Sequence, residues 1–166
     1  MDELRGTEMS PLTDLPMRLA TTADAPLVTR LLKAFFSHEG RVVEHLDQNV
    51  DAILVDPGRG FFTLAGDRGL ASTTIRISAG GGCSAEIEEI WVQPSARGRG
   101  IGAMLLRGAV AECQRRGIES IELRVTPDDE EVGIPTFYTK QGFRHGGRLI
   151  YEYAGDSAET PMEDWA

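Results

Sequence analysis

The sequence predicts an α/β (α+β) domain built on a mixed sheet with helices on both faces. Three observations carry the prediction. Two early apolar stretches keep helical spacing. Two β-rich runs joined by turn residues then read as an antiparallel hairpin. After them, strand and helix patterns alternate, which adds crossover units to the antiparallel group.

In chain order, residues 17–20 read as a short first strand. Thr22 or Asp24 is a good N-cap, and Pro26 sits where a first-turn proline is tolerated. Leu27, Leu31, Leu32, Phe35 and Phe36 then space a helix to about Ser37. A second helix is expected over 41–54, from Val42, Val43, Leu46, Val50, Ile53 and Leu54, and Asp56-Pro57-Gly58 stops it. Residues 61–65 and 70–78 are the hairpin strands, with Gly66-Asp67-Arg68-Gly69 as turn chemistry. Residues 79–82 read as a flexible loop into a central strand that starts near Ala85. A helix from Ile101 to about Gly117, a strand over 118–125 and an acidic loop over 126–131 come next. A short helix over 134–141, ended by Gly142, and a last strand over 149–153 complete the fold.

At 166 residues the chain is read as one domain over 16–154, with a loose leader over 1–15 and an acidic tail over 155–166. Net charge is −9, from 26 acids against 17 bases, which argues against a nucleic-acid backbone as partner and suits a cationic substrate. No apolar run approaches the roughly 20 residues of a membrane span, and no signal peptide is visible, so cytoplasm is the expected compartment. Cys83 and Cys113 make neither a disulfide framework nor a metal site; no metal is expected. His38, His45 and His145 fit no ligand or triad spacing.

The informative stretch is AEIEEIWVQPSARGRGIG, residues 85–102. Ile87, Ile90, Trp91 and Val92 supply strand bulk, and Pro94 ends the ladder. Gly98, Gly100 and Gly102 then open the helix through Ile101 and Ala103. A strand, a glycine turn and a helix start make an anion site, because free N–H groups and the helix dipole converge. The turn also fits G-x-G-x-x-G/A, but five residues separate it from the strand, and acidic Glu122 lies inside the next strand rather than at its end. A P-loop is excluded, since no Gly-Lys-Ser/Thr follows.

Val92-x-Pro94 followed by Arg97-x-x-Gly100-x-Gly102 resembles the acetyl-CoA signature of the GNAT superfamily of N-acetyltransferases. Thr136-Phe137-Tyr138-Thr139-Lys140-Gln141-Gly142-Phe143 resembles the family's Phe-Tyr-x-x-x-Gly-Phe segment, and residues 18–26 resemble its opening strand and helix start. The pattern departs at Glu131, where many members carry asparagine, at Pro135, and at Ala71-Ser72, where glycine is frequent. The resemblance implies the GNAT fold, with a mostly antiparallel sheet, and acetyl-CoA as cosubstrate. It implies cofactor contacts from Ile90, Trp91 and Val92 and from Arg97, Gly98, Arg99, Gly100, Ile101, Gly102 and Ala103. Dimers are common in that family; the sequence argues neither for one nor against one.

The implied reaction is attack of a small-molecule primary amine on the thioester. Such an amine is mostly protonated at neutral pH and must lose a proton to a base. Glu88 is the expected base, with Glu86 and Glu89 as substrate-side acids, and Tyr138 the expected proton donor to the leaving thiolate. Simple alternation puts Glu86 and Glu88 on the face of Ile90 and Val92, with Glu89 opposite; a bulge would swap the facing beyond it. Two other functions share these motifs: an acyl-CoA-binding module without turnover, and an acetyltransferase acting on protein lysines or N-termini.

Overall fold

The computed structural model describes residues 16–125 and 133–147. Strand β1, Met17–Leu19, leads through a 3-10 turn at Thr22–Asp24 into helix α1, Ala25–His38. The entry is held by one carboxylate. Asp24 accepts two Arg18 nitrogens at 2.6 and 2.7 Å and the Thr21 N–H at 2.8 Å. The Arg18 contacts, then that N–H, hold the Asp24 carboxyl well below its ordinary range. Pro26 lies in the first turn, where its missing N–H costs no hydrogen bond.

Helix α2 runs Leu46–Val55 and so begins five residues later than the spacing predicts. Gly40 at φ +67° turns the chain away from α1, and His45 takes the left-handed conformation (φ 56°) just before α2. The β-branched Val42, counted as an apolar helix position, is 93% exposed in the connection between them. The predicted stop is correct: Asp56 accepts the Gly58 N–H at 3.0 Å, a local turn that competes with helix.

The sheet is formed by β1, β2 (Gly60–Ala65), β3 (Gly69–Ser78), β4 (Gly82–Val92) and β5 (Ser120–Leu123), in that spatial order. The first three pairings are antiparallel and β4–β5 is parallel. The expected glycine loop at 79–82 is a tight hairpin turn instead. Gly82 takes φ +70° and pairs with Ser78, which places exposed Cys83 on a strand rather than in a loop.

Helix α3, Ile101–Arg115, covers one face of the sheet. Leu106, Ala109 and Cys113 meet Phe61, Ala85 and Ile87, while Ile101 and Leu105 meet Ala65 and Ala71. Helices α1 and α2 cover the other face: Val28, Leu31, Leu32, Phe36, Leu46 and Val50 pack on Phe62, Leu64, Leu70 and Trp91. Each large side chain fully buried here is worth about 1.5–3 kcal/mol, so both layers anchor the sheet. At the end of α3, Glu112 pairs with Arg115 and Arg116 at 2.7 Å, and Arg116 lies over the Phe61 ring at 4.5 Å.

Helix α4, Ile134–Lys140, has Pro135 in its first turn and is followed by Gly142 at φ +93°, as the glycine stop predicts. The expected acidic loop at 126–131, the last strand at 149–153, the leader and the tail lie outside the described residues. Among the described residues, no helix is long and apolar enough to cross a membrane.

One irregularity organises the site. In the β3–β4 ladder Ala71 pairs with Ile90 but Thr73 pairs with Ile87. Two β4 residues, Glu88 and Glu89, therefore stand opposite Ser72: a β-bulge. The extra residue inverts facing. Ile87 and Ile90 both pack in the α3 layer. Glu86 accordingly does not share the face of Ile90 and Val92, as simple alternation had it; it lies on the face of Trp91.

Candidate active site

The glycine turn is shaped for backbone exposure. Gly98 and Gly100 take φ +73° and +78°, and Gly100 caps α3. A side chain is strained at such angles, while a β-carbon there would meet none of the described residues beyond its chain neighbours within 4 Å. Among the described residues, the space beside the turn is open. The Met104 N–H bonds to the Gly100 carbonyl at 3.0 Å. The amides of Ile101, Gly102 and Ala103 precede that first helical bond, so they have no acceptor within the helix. Together with the dipole of a 15-residue helix they form an anion-binding end. Arg99 is exposed beside it. Arg97 is folded back: its Nε donates to the Val92 carbonyl at 3.0 Å and its guanidinium lies 4.8 Å above the Trp91 ring. It thus ties the turn to the end of β4.

Next to the turn the sheet opens. β4 and β5 pair from Ser84 with Ser120 to Ile87 with Leu123, where β5 ends. Among the described residues, β4 continues to Val92 with only β3 beside it. Among the described residues, backbone groups of 88–91 that do not face β3 have no strand beside them. Ile90, Trp91 and Val92 all lie on this stretch. The Trp91 side chain turns to the α1 layer, against Phe35 (ring centroids 6.0 Å) and His38 (5.3 Å).

Helix α4 approaches from the α3 side. A β-carbon at Gly102 would lie 3.8 Å from Val92 Cγ2 and 3.9 Å from Phe137 Cζ. Arg107 on α3 donates to the Gln141 side chain at 2.9 Å. Tyr138 packs edge-on against Phe137 and Phe143, at 5.3 and 6.1 Å. The two motifs, far apart in sequence, are therefore neighbours across the α3 start.

The three acids differ sharply. Glu86 is buried and accepts Arg76 at 2.9 Å and Arg124 at 2.7 Å, which binds β3, β4 and the end of β5 together. Glu88 is exposed. Glu89 is half-buried. Its N–H donates to Ser72 Oγ at 3.2 Å, and that hydroxyl donates to Glu89 Oε2. Burial pushes the Glu89 carboxyl above its ordinary range; the Ser72 hydroxyl pulls it back, Glu88 pushes it up, Arg41 pulls it down, and Glu86 pushes it up.

Arg41 and His38 had no part in the site expected from the sequence, and Ser72 entered it only as a departure from the resembled pattern. The β3 register adds what that departure could not, its place opposite the bulge. Arg41 follows α1 and lies over the Phe36 ring at 5.2 Å, within electrostatic reach of Glu89.

A helix start with free amides, parallel strands that pair over only part of their length and a bulged acidic strand match one known architecture. The chain matches the Acetyltransferase (GNAT) family over residues 26–143, and it belongs to that family. It is 42% identical over 59 residues to an uncharacterised N-acetyltransferase of Methanocaldococcus jannaschii, a match covering 36% of this chain and 25% of that protein. Among solved structures, the integron cassette protein HFX_CASS3 from the Cole Harbour Salt Marsh metagenome superposes with a TM-score of 0.72 at 25% identity. That match covers 83% of this chain and 89% of the other. The aminoglycoside N-acetyltransferase AAC(6')-Iy, solved with CoA, superposes with a TM-score of 0.68 over 83% of this chain and 93% of the other. At 19% identity that likeness is one of fold.

Proposed function

We propose that this protein transfers the acetyl group of acetyl-CoA to a primary amine of a small molecule, by direct attack within a ternary complex. The observation that carries the reading is the convergence at one end of β4 of three features: the α3 anion site, the β4–β5 gap and a half-buried acid. The residues suit the cosubstrate. Backbone amides of 98–103, with Arg99, would hold its pyrophosphate, Arg97 would brace the turn through the Val92 carbonyl, and the β4 edge at Ile90, Trp91 and Val92 would hold its pantetheine arm. Acetyl-CoA would supply the activated acyl group as a thioester. The CoA bound by AAC(6')-Iy supports the cosubstrate, and that protein's aminoglycoside activity supports a small amine acceptor.

Among the acids, the geometry favours Glu89 as base over Glu88, the residue favoured by the sequence. A carboxyl raised by burial holds a proton more strongly than an exposed one, so it is the better partner for an ammonium of pKa near 10.4. Glu89 takes the amine proton directly or through a water. Glu88 adds negative charge beside it for a cationic acceptor. Glu86, saturated by Arg76 and Arg124, holds the strand. Backbone N–H groups on β4 beyond Ile87 donate to the acyl oxygen as it gains charge. The Tyr138 phenol donates its proton to the leaving sulfur.

The test is acetyl-CoA turnover against polyamines, aminoglycosides and amino acids. Loss of the thioester is the readout to follow, because exposed Cys83 would consume a thiol reagent. Amine-dependent consumption is expected. Tight acetyl-CoA binding with no amine consumed would make the protein a binding module instead.

A further inference from the structure

We propose that Ser72 is the positioning residue for Glu89, holding both its carboxylate and the bulge that presents it. The inference rests on Glu89 as the acid of the proposed reaction, and it comes from the β3–β4 register. Ser72 is the one β3 residue opposite two β4 residues. At a bulge the extra residue loses its regular ladder partner. Here a side chain replaces it. The Ser72 hydroxyl accepts the Glu89 N–H at 3.2 Å and donates to Glu89 Oε2. One hydroxyl thereby fixes the backbone and the carboxylate of the same residue.

Ser72 is suited to this by burial. It is 4% exposed, so its hydroxyl is screened from competing water and its rotamer is set by packing. Two buried neighbours, Thr63 and Thr73, have hydroxyls with no partner among the described residues, so burial alone does not secure such a bond. The other charges around Glu89 cannot replace it. Glu88 and Glu86 on β4 repel the charged form, and Glu86 is already paired to Arg76 and Arg124. Arg41, after α1, attracts that form without a hydrogen bond to it. His38 of α1 stacks on Trp91, two residues along β4. Ser72 is therefore the partner that sets direction as well as charge, and a directed carboxylate is what proton abstraction needs.

The experiment uses the full chain with Ser72→Ala and Ser72→Thr. Carbon-detected NMR follows the titration of the Glu89 carboxyl, and the pH profile of kcat/KM is measured on the same variants. Ser72→Ala removes a hydrogen bond to the charged form. The Glu89 titration should move up by about one pH unit, with the acidic limb of the rate profile moving the same way. Ser72→Thr keeps the hydroxyl and should return both toward the parent. A lower melting temperature with an unmoved Glu89 titration would reduce Ser72 to packing and overturn the proposal. A moved titration with an unmoved rate profile would sustain Ser72 as the partner of Glu89 and remove Glu89 as the base.

Discussion

Gly100→Ala separates backbone strain from cofactor contact. Gly100 sits at φ +78° and ψ 3°, and its β-carbon would meet none of the described residues beyond its chain neighbours within 4 Å. Inside the fold the substitution therefore costs only the left-handed penalty, roughly 1–2 kcal/mol. For a domain of this size that lowers Tm by about 2–8 °C. The effect on ligand is larger in kind. The added carbon occupies the open side where the pyrophosphate is assigned and removes the close approach of at least one N–H. A hydrogen bond to a charged group is worth about 1.5–3 kcal/mol, so Kd for acetyl-CoA should rise roughly 10- to 100-fold. Gly117→Ala is the matched control. Gly117 has φ +74°, equally open space, and lies just past the opposite end of α3. It should lose similar stability and keep its affinity. Calorimetric titration and thermal melts of both variants decide the matter. Equal Tm losses with unchanged affinity in both would refute the pyrophosphate assignment.

Two other outcomes follow from the geometry. Tyr138→Phe keeps the ring packed on Phe137 and Phe143 and removes only the phenol; kcat should fall about a hundredfold while the acetyl-CoA Kd, read by titration, stays put. Arg115 contacts first, then those of Arg116, lower the Glu112 carboxyl from 4.5 to about 2. A depressed carboxyl stabilises the fold above its unfolded pKa, and that contribution is lost as pH falls from about 4.5 toward 2. On the order of 3 kcal/mol should therefore disappear across that window in denaturant melts of the parent, and less in Glu112→Gln.

The sequence carried most of the fold because its strong signals were local. Apolar spacing in α1 and α3, the proline and glycine stops, and the glycine turn before α3 each act within a few residues. The errors have equally local causes. Val42 and Val43 extended the apolar period of α2 backwards, but Gly40 and the left-handed His45 break the helix there. The glycines at 79–82 read as flexibility, whereas Gly82 supplies the positive φ of a tight turn. The site was legible as two motifs, around Gly100 and Tyr138. Their proximity came from α3 and α4 packing through Arg107 and Gln141. The facing of the acids was not legible, because a one-residue bulge inverts it and is set by register with β3. Ser72 stood out only as a departure from a resembled pattern. Its role appears once the bulge puts Glu88 and Glu89 opposite it.

In the proposed reaction an acid at this bulge deprotonates an amine acceptor. The most direct test is the pH profile of kcat/KM for Glu89→Gln beside the parent, with the best amine of the panel and saturating acetyl-CoA. Glu89→Gln should lose about 10²–10⁴-fold near neutral pH, recovered progressively as pH rises and the amine deprotonates by itself. A Glu89→Gln enzyme with the parent's rate and an unchanged acidic limb would contradict that role.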